Sequence, residues 1–190
     1  MLVLYGVSGS GKSTIAKHLV DHYDYRKAIS CTSRPKRKGE IDGIDYYFKT
    51  EDEMFNLFFL RGDNIVFNDK LIDFVKYGNN YYGLSISEFE KSNLAIMEPE
   101  GIRIYLASNF DICPIYIACD NDVLENRIFT DKHRDQESSK NRLNIDKEVF
   151  DDDAISLAHG RIITNNGNIS KCAREVNDLY CKYLRDKELD

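Results

Sequence analysis

Four short apolar runs punctuate the chain, Leu2–Tyr5, Leu94–Met97, Ile112–Ala118 and Arg161–Thr164, and each stands beside a stretch with helical spacing. Continuous apolar runs of this length suit strands buried on both faces, and strands alternating with helices build a parallel sheet covered on either side. The predicted class is therefore α/β. The first helix, about Lys12 to Tyr23, turns Ile15, Leu19 and Val20 toward the sheet; the last, about Ile169 to Leu184, repeats Ile169, Ala173, Val176, Tyr180, Tyr183 and Leu184 at helical spacing. Both are expected to lie against the core.

Between about 30 and 87 the rhythm changes to short β-like pieces, with Asp42-Gly43 a hairpin signal between Glu40-Ile41 and Ile44–Phe48. Thr50-Glu51-Asp52-Glu53 has the form of a helix capping box ahead of Met54, Phe55, Leu57 and Phe58, and Ser87 to Glu90 forms a second. From about 123 to 157 the chain is rich in charge, Arg127, Lys132, Arg134, Lys140 and Arg142 standing among acids, and its apolar content is too thin for an interior. The expected organisation is one domain: a three-layer core over about 1–29, 88–122 and 158–190, an inserted small, mostly-β lobe over about 30–87, and a helical lid over about 123–157. No internal repeat is visible.

Composition narrows the partners. The 26 basic and 32 acidic side chains of this 190-residue chain give a net charge of −6, so its surface as a whole repels nucleic acid and anionic membrane. Cys31, Cys113, Cys119, Cys172 and Cys181 are odd in number and form no C-x-x-C pair, which suits neither a disulfide framework nor a zinc cluster. They read as reduced packing thiols of a cytoplasmic protein. No segment approaches the roughly 20 apolar residues of a membrane span, and the N-terminus shows no basic leader ahead of an apolar run. Small soluble partners are expected, for a monomer or a homodimer.

The densest chemical signal lies between the first strand and the first helix. Gly6 to Thr14, GVSGSGKST, fits the phosphate-binding loop G-x-x-x-x-G-K-[ST]. Such a loop wraps backbone N–H groups around phosphate oxygens, which requires residues without a Cβ, and the following helix offers its positive end to the anion. Gly6, Ser8, Gly9, Ser10, Gly11, Lys12, Ser13 and Thr14 are thus the candidate ATP cradle, with Lys12 supplying an ammonium to the terminal phosphates and the Ser13 hydroxyl a ligand for Mg²⁺.

Beyond the loop, Ser30-Cys31-Thr32-Ser33-Arg34-Pro35-Lys36-Arg37-Lys38-Gly39-Glu40-Ile41-Asp42-Gly43-Ile44-Asp45-Tyr46-Tyr47-Phe48 resembles the guanylate kinase family in its order of hydroxyls, two arginines three apart, Gly-Glu, Asp-Gly and Tyr. Gly78-Asn79-Asn80-Tyr81-Tyr82-Gly83 is similar to that family's Tyr-Tyr-Gly signature, and Ile163-Thr164-Asn165-Asn166 to its late strand ending in asparagine. The three motifs follow in the family's order over nearly the whole chain. The resemblance implies a P-loop nucleoside monophosphate kinase with ATP as donor, GMP or dGMP as acceptor and Mg²⁺ as cofactor.

Chemistry supplies an independent reason for the same residues. A monophosphate dianion suits planar guanidinium forks, and phenolic hydroxyls orient it further, so Arg34, Arg37, Tyr46 and Tyr82 form a candidate clamp. Tyr47 and Tyr81 would then face the opposite side of their strands. By family position Asp73 and Ser30 read the base, a carboxylate accepting from guanine N1–H and the N2 amine, and a hydroxyl meeting O6. The family carries Glu where Asp73 stands and Ser or Thr where Leu84 stands. Glu98 and Glu100, split by Pro99, match its pair of aspartates near the metal and base. Arg127 and Arg142 stand where its lid arginines do, a further one aligns with Asp131, leaving Lys132 or Arg134 as replacements, and Asn165 corresponds to the residue beside the adenine. With Lys12 and Arg34, the lid arginines complete the candidate catalytic set.

Two other functions fit the same residues: a kinase of this build with another nucleoside monophosphate or a phosphosugar as acceptor, and a non-catalytic interaction module, which has no need of Lys12. His18 and His22 lack the glutamate of a metalloprotease helix, Arg61-Gly62-Asp63 reads as a surface turn, and Asn168-Ile169-Ser170 as an unmodified sequon.

Overall fold

The computed structural model describes residues 1–58, 74–130, 145–146 and 148–189. In chain order the elements are β1 (Leu2–Tyr5), α1 (Lys12–His22), β2 (Cys31–Thr32), β3 (Tyr47–Phe48), α2 (Glu51–Phe58), β4 (Val75–Tyr77), β5 (Asn80–Gly83), α3 (Ile86–Lys91), β6 (Leu94–Ile96), α4 (Pro99–Ala107), β7 (Cys113–Ala118), α5 (Asn121–Thr130), α6 (Asp152–Ser156), β8 (Ile162–Thr164) and α7 (Ile169–Lys187).

The four strands expected from the apolar runs form one parallel sheet in the order β6-β1-β7-β8. Successive side chains of a strand point to opposite faces, and the sheet sorts β1 accordingly. Leu2 and Leu4 join Ile15, Leu19, Ile115, Ile117 and Val176 on the face covered by α1 and α7, while Val3 and Tyr5 join Ile102, Tyr105 and Tyr116 on the face covered by α4. This is the three-layer α/β arrangement expected. Burying each such Leu or Ile contributes ~1.5–3 kcal/mol, so the sheet is a rigid platform for the loop at the end of β1.

Both terminal helices form as predicted, but Val20 and Leu184 fall on their outer edges, each 40% exposed, because the stripes facing the sheet are filled by Ile15, Ala16 and Leu19 in α1 and by Cys172, Ala173, Val176 and Tyr180 in α7.

Residues 31–83 contribute a second sheet, ordered β3-β2-β5-β4. Met54 and Cys31 anchor its underside together with Tyr47, Leu57, Phe74 and Tyr81, and Phe74 stacks on Tyr81 at 4.9 Å between ring centroids. The Thr50–Glu53 capping box forms in full: Glu53 accepts from the Thr50 amide at 2.7 Å, and Thr50 Oγ1 from the Glu53 amide at 3.1 Å. The second box is displaced. Ser85, not Ser87, caps α3 by accepting from the Glu88 amide at 3.2 Å, and the Glu88 carboxylate instead accepts from the Ile29 amide at 3.2 Å. Asp42-Gly43 makes no hairpin either. Asp45 accepts from the Ile41 amide and Asp42 from the Phe48 amide, closing a compact loop, and β3 pairs in parallel with β2. Among the described residues no helix is long and apolar enough to cross a membrane.

Candidate active site

The loop between β1 and α1 has the backbone that its glycines predicted. Gly6 (φ 142°) passes so near β7 that a Cβ there would lie 2.4 Å from the Ile117 carbonyl oxygen, and one on Gly11 (φ 95°) would lie 2.2 Å from Asn165 Nδ2. A side chain at Gly6 would push the loop off the β7 backbone, and one at Gly11 would dislodge the Asn165 amide. Gly11 is also the N-cap of α1, and no side chain caps this end, so the first-turn N–H groups keep their positive potential for an anion.

Several groups fix the loop from outside. Asn165, at the end of β8 and 0% exposed, donates from its amide to the Ser10 carbonyl at 2.7 Å. Arg127, in the last turn of α5, reaches the Gly9 and Ser10 carbonyls at 3.3 and 3.5 Å. Lys12 Nζ donates to the Gly6 and Val7 carbonyls at 2.6 and 2.9 Å. The Ser8 amide donates to Asp146 Oδ2 at 2.7 Å.

Ser13 and Thr14, at the start of α1, open into a cleft of about 690 Å³ whose far side is formed by Ser30, Arg34, Arg37, Tyr46 and Tyr82. β2 and its following loop supply Ser30 and Arg34; β5, paired antiparallel to β2, sets Tyr82 opposite Thr32. Alternation along the strands then divides the tyrosine pairs: Tyr46 and Tyr82 line the cleft, their rings 6.2 Å apart, while Tyr47 and Tyr81 pack beneath the sheet.

Arg34 is only 8% exposed and lies over the rings of Tyr46 and Phe48, at 5.5 and 5.7 Å from their centroids. Its fork is held by Glu40, with Nη2–Oε1 at 2.7 Å and Nη1–Oε2 at 3.0 Å. Burial works against the charge of each partner, yet their mutual hydrogen bonds prevail, so Arg34 is raised above and Glu40 lowered below its ordinary pKa. Lys27 also lines the cleft, where burial lowers its pKa against the pull of Asp45.

A smaller cavity of about 40 Å³ continues from the cleft between Ser30, Tyr46, Tyr82, Leu84 and Glu98. Here the two expected acids part company. Glu98 lines the cavity, whereas Glu100 stands exposed in the first turn of α4 and pairs with Arg103 at 3.3 Å. Pro99, at N1 of α4, starts the helix between them and rotates the second acid away. Asp73, Asp131, Lys132, Arg134, Arg142 and Arg61-Gly62-Asp63 lie outside the described residues.

Two contributors escaped the reading of the sequence. Glu40 lay inside a recognised motif but carried no role there; an acid three residues beyond Arg37, whose amide it accepts at 2.7 Å, was the available signal. Asp146 belongs to no motif, and its only trace is an acid four residues before the buried Phe150, on the apolar side of a charged stretch. It is 2% exposed, accepts from Ser8 and from the Tyr77 hydroxyl, and burial raises its pKa to about 6 against the opposing effects of the Ser8 amide and Lys12.

Comparison with known proteins places the chain in a family. The model of the guanylate kinase family matches residues 1–181. The chain belongs to the guanylate kinase family. A guanylate kinase of Bacillus cereus is 30% identical over 193 aligned positions, spanning 92% of this chain and 84% of that protein, and one of Oceanobacillus iheyensis is 29% identical, spanning 87% and 79%. The crystal structure of guanylate kinase from Anaplasma phagocytophilum covers this whole chain and 86% of its own, with a TM-score of 0.65 at 22% identity. It shares the fold. The cleft thus lies in a guanylate kinase framework built from both sheets.

Proposed function

We propose that this chain transfers the γ-phosphoryl group of ATP to GMP or dGMP, giving GDP or dGDP. The observation that carries the reading is the shared cleft: Ser13 and Thr14 at the end of the phosphate loop face Arg34, Arg37, Tyr46 and Tyr82 across one space. Family membership and the names of the relatives support the donor and the acceptor.

The acceptor oxygen is already an anion on the monophosphate, so the task of the protein is alignment and charge neutralisation rather than proton abstraction. Gly6 to Thr14 hold the triphosphate tail, and Lys12 places its ammonium against the transferred group. Arg34, Arg37, Tyr46 and Tyr82 hold the acceptor phosphate, with Ser30 and Asp73 on the base and Glu98 beside it. Arg127 and Arg142 add positive charge from the lid, which would close over both nucleotides and exclude water.

Mg²⁺ would sit at the Ser13 hydroxyl. A hydroxyl oxygen suits a hard cation that keeps most of its waters and takes its other ligands from phosphates. Once bound it neutralises charge on the phosphates. The inserted lobe and lid are the moving parts of this reading. In this reading the enzyme works in the cytoplasm on small nucleotides, as monomer or homodimer, and its net charge of −6 keeps it apart from nucleic acid and anionic membrane.

The test is an acceptor panel. Incubated with ATP, Mg²⁺ and each nucleoside monophosphate in turn, the protein should form diphosphate fastest from GMP or dGMP. Clear turnover of another acceptor with none of these two would reject the base assignment.

A further inference from the structure

Asp146 joins two distant parts of the chain at the phosphate loop. Its Oδ2 accepts from the amide of Ser8, 138 residues away, and its Oδ1 from the hydroxyl of Tyr77 on β4, 69 residues away. The carboxyl is 2% exposed. Among the described residues, the titratable groups that face it are Lys12, from the junction of the loop and α1, and Tyr77, from the second sheet. Burial opposes its charge, while the Ser8 amide and the Lys12 ammonium sustain it.

Lys12 is also the cation that a triphosphate tail would meet. Two anions drawing on one ammonium in a poorly solvated site repel each other, so arrival of the tail makes the ionised carboxyl harder to keep. A protonated carboxyl retains a carbonyl oxygen for the Ser8 amide and a hydroxyl that can pair with Tyr77, so the joint outlasts the loss of charge.

We propose that Asp146 is a positioning residue for ATP, which sets the Ser8 peptide of the phosphate loop and takes up a proton from solvent as the triphosphate tail binds. The proposal rests on the reading of Gly6 to Thr14 as the ATP site. Asp146 then makes ATP affinity depend on pH, because by linkage a ligand that raises a proton affinity is bound more tightly where protons are plentiful.

The experiment is calorimetric titration of ATP with Mg²⁺ into the full chain, in buffers of differing ionisation enthalpy, from pH 5.5 to 8, for wild type, Asp146→Asn and Tyr77→Phe. Protonation of the nucleotide is common to all three and cancels in the comparison. Wild type should take up more protons than Asp146→Asn. The variant should bind ATP more tightly at pH 8, by about tenfold for each unit by which the tail raises the Asp146 pKa, and the two should converge at pH 5.5. Tyr77→Phe, which removes one donor to the carboxylate, should move the pH dependence upward, and it decides the question alone if Asp146→Asn does not fold. Equal proton uptake, a uniform loss of affinity in Asp146→Asn at every pH, or an unmoved profile in Tyr77→Phe would overturn the proposal and leave the ATP reading standing; no binding of ATP by wild type would overturn that reading, and the proposal with it.

Discussion

Glu40 grips the guanidinium of Arg34 by both Nη atoms, at 2.7 and 3.0 Å, and accepts from the amide of Arg37 at 2.7 Å. One carboxylate therefore sets the side chain of the first arginine of the proposed clamp and the backbone of the second. With the Pro35 carbonyl taking a further Nη1 bond at 2.8 Å, part of the Arg34 fork is committed to holding its own position. The pair would pre-organise the proposed clamp, since a bidentate fork loses less freedom on meeting a phosphate than a long solvated side chain does.

Glu40→Gln keeps the shape and removes the charge. A charge-assisted bond of this kind is worth about 1.5–3 kcal/mol, so KM for GMP should rise at least about tenfold while KM for ATP changes little. Steady-state kinetics with each substrate varied in turn checks this, and an unchanged KM for GMP would mean that the pair serves the local fold alone.

Lys12 places its ammonium at the mouth of the phosphate loop, on the Gly6 and Val7 carbonyls. Lys12→Met should lower kcat by about 10²–10³, the range for losing one preorganised electrostatic contact, with GMP affinity retained. Full turnover in this variant would remove Lys12 from the catalytic set.

Leu84 lines the small cavity and is at the same time 1% exposed within the core cluster of Tyr5, Tyr77 and Tyr105. Leu84→Ser introduces the hydroxyl usual in the family but removes buried carbons, at about 2–4 kcal/mol of stability. Urea unfolding should show that loss, and the ratio of GMP to AMP turnover in the folded fraction should rise. Ser85 offers no ready substitute, because its hydroxyl oxygen caps α3.

The Asp146 pKa is raised from 3.8 to about 6, so the folded state favours the protonated form more than the unfolded chain does. This contribution to stability is full below pH 3.8, declines as pH rises through about 6, and leaves the ionised group at a deficit of about 3 kcal/mol above that. Asp146→Asn should accordingly gain on wild type as pH rises from 4 to 8, less what its altered hydrogen bonds lose. Urea midpoints across this range test the sign; a variant that loses ground with rising pH would contradict it.

Much of the core was legible because it depends on local rules. Apolar runs at β1, β6, β7 and β8 mark doubly covered strands, and the stripes of α1 and α7 mark helices on one face. The Asp42-Gly43 turn failed as a hairpin signal because Asp45 and Asp42 close that loop on their own backbone, leaving β3 to pair with β2. At Ser85 and Ser87 two hydroxyls compete for one cap, and the outcome depends on Glu88 being drawn to Ile29, a contact across 59 residues.

By itself, the sequence determined the tight glycine loop between β1 and α1, whose backbone geometry answers to residues within nine positions, and it determined the α/β class, which follows from periodicity. Only the tertiary structure decided where each acid lies and what it meets. Glu98 and Glu100, two residues apart, are separated by the start of a helix, while Ser8 and Asp146, 138 residues apart, share a hydrogen bond. The physical reason is that side-chain partnership depends on distance in space, and in a parallel sheet with crossover helices that distance is set by strand order rather than by position along the chain.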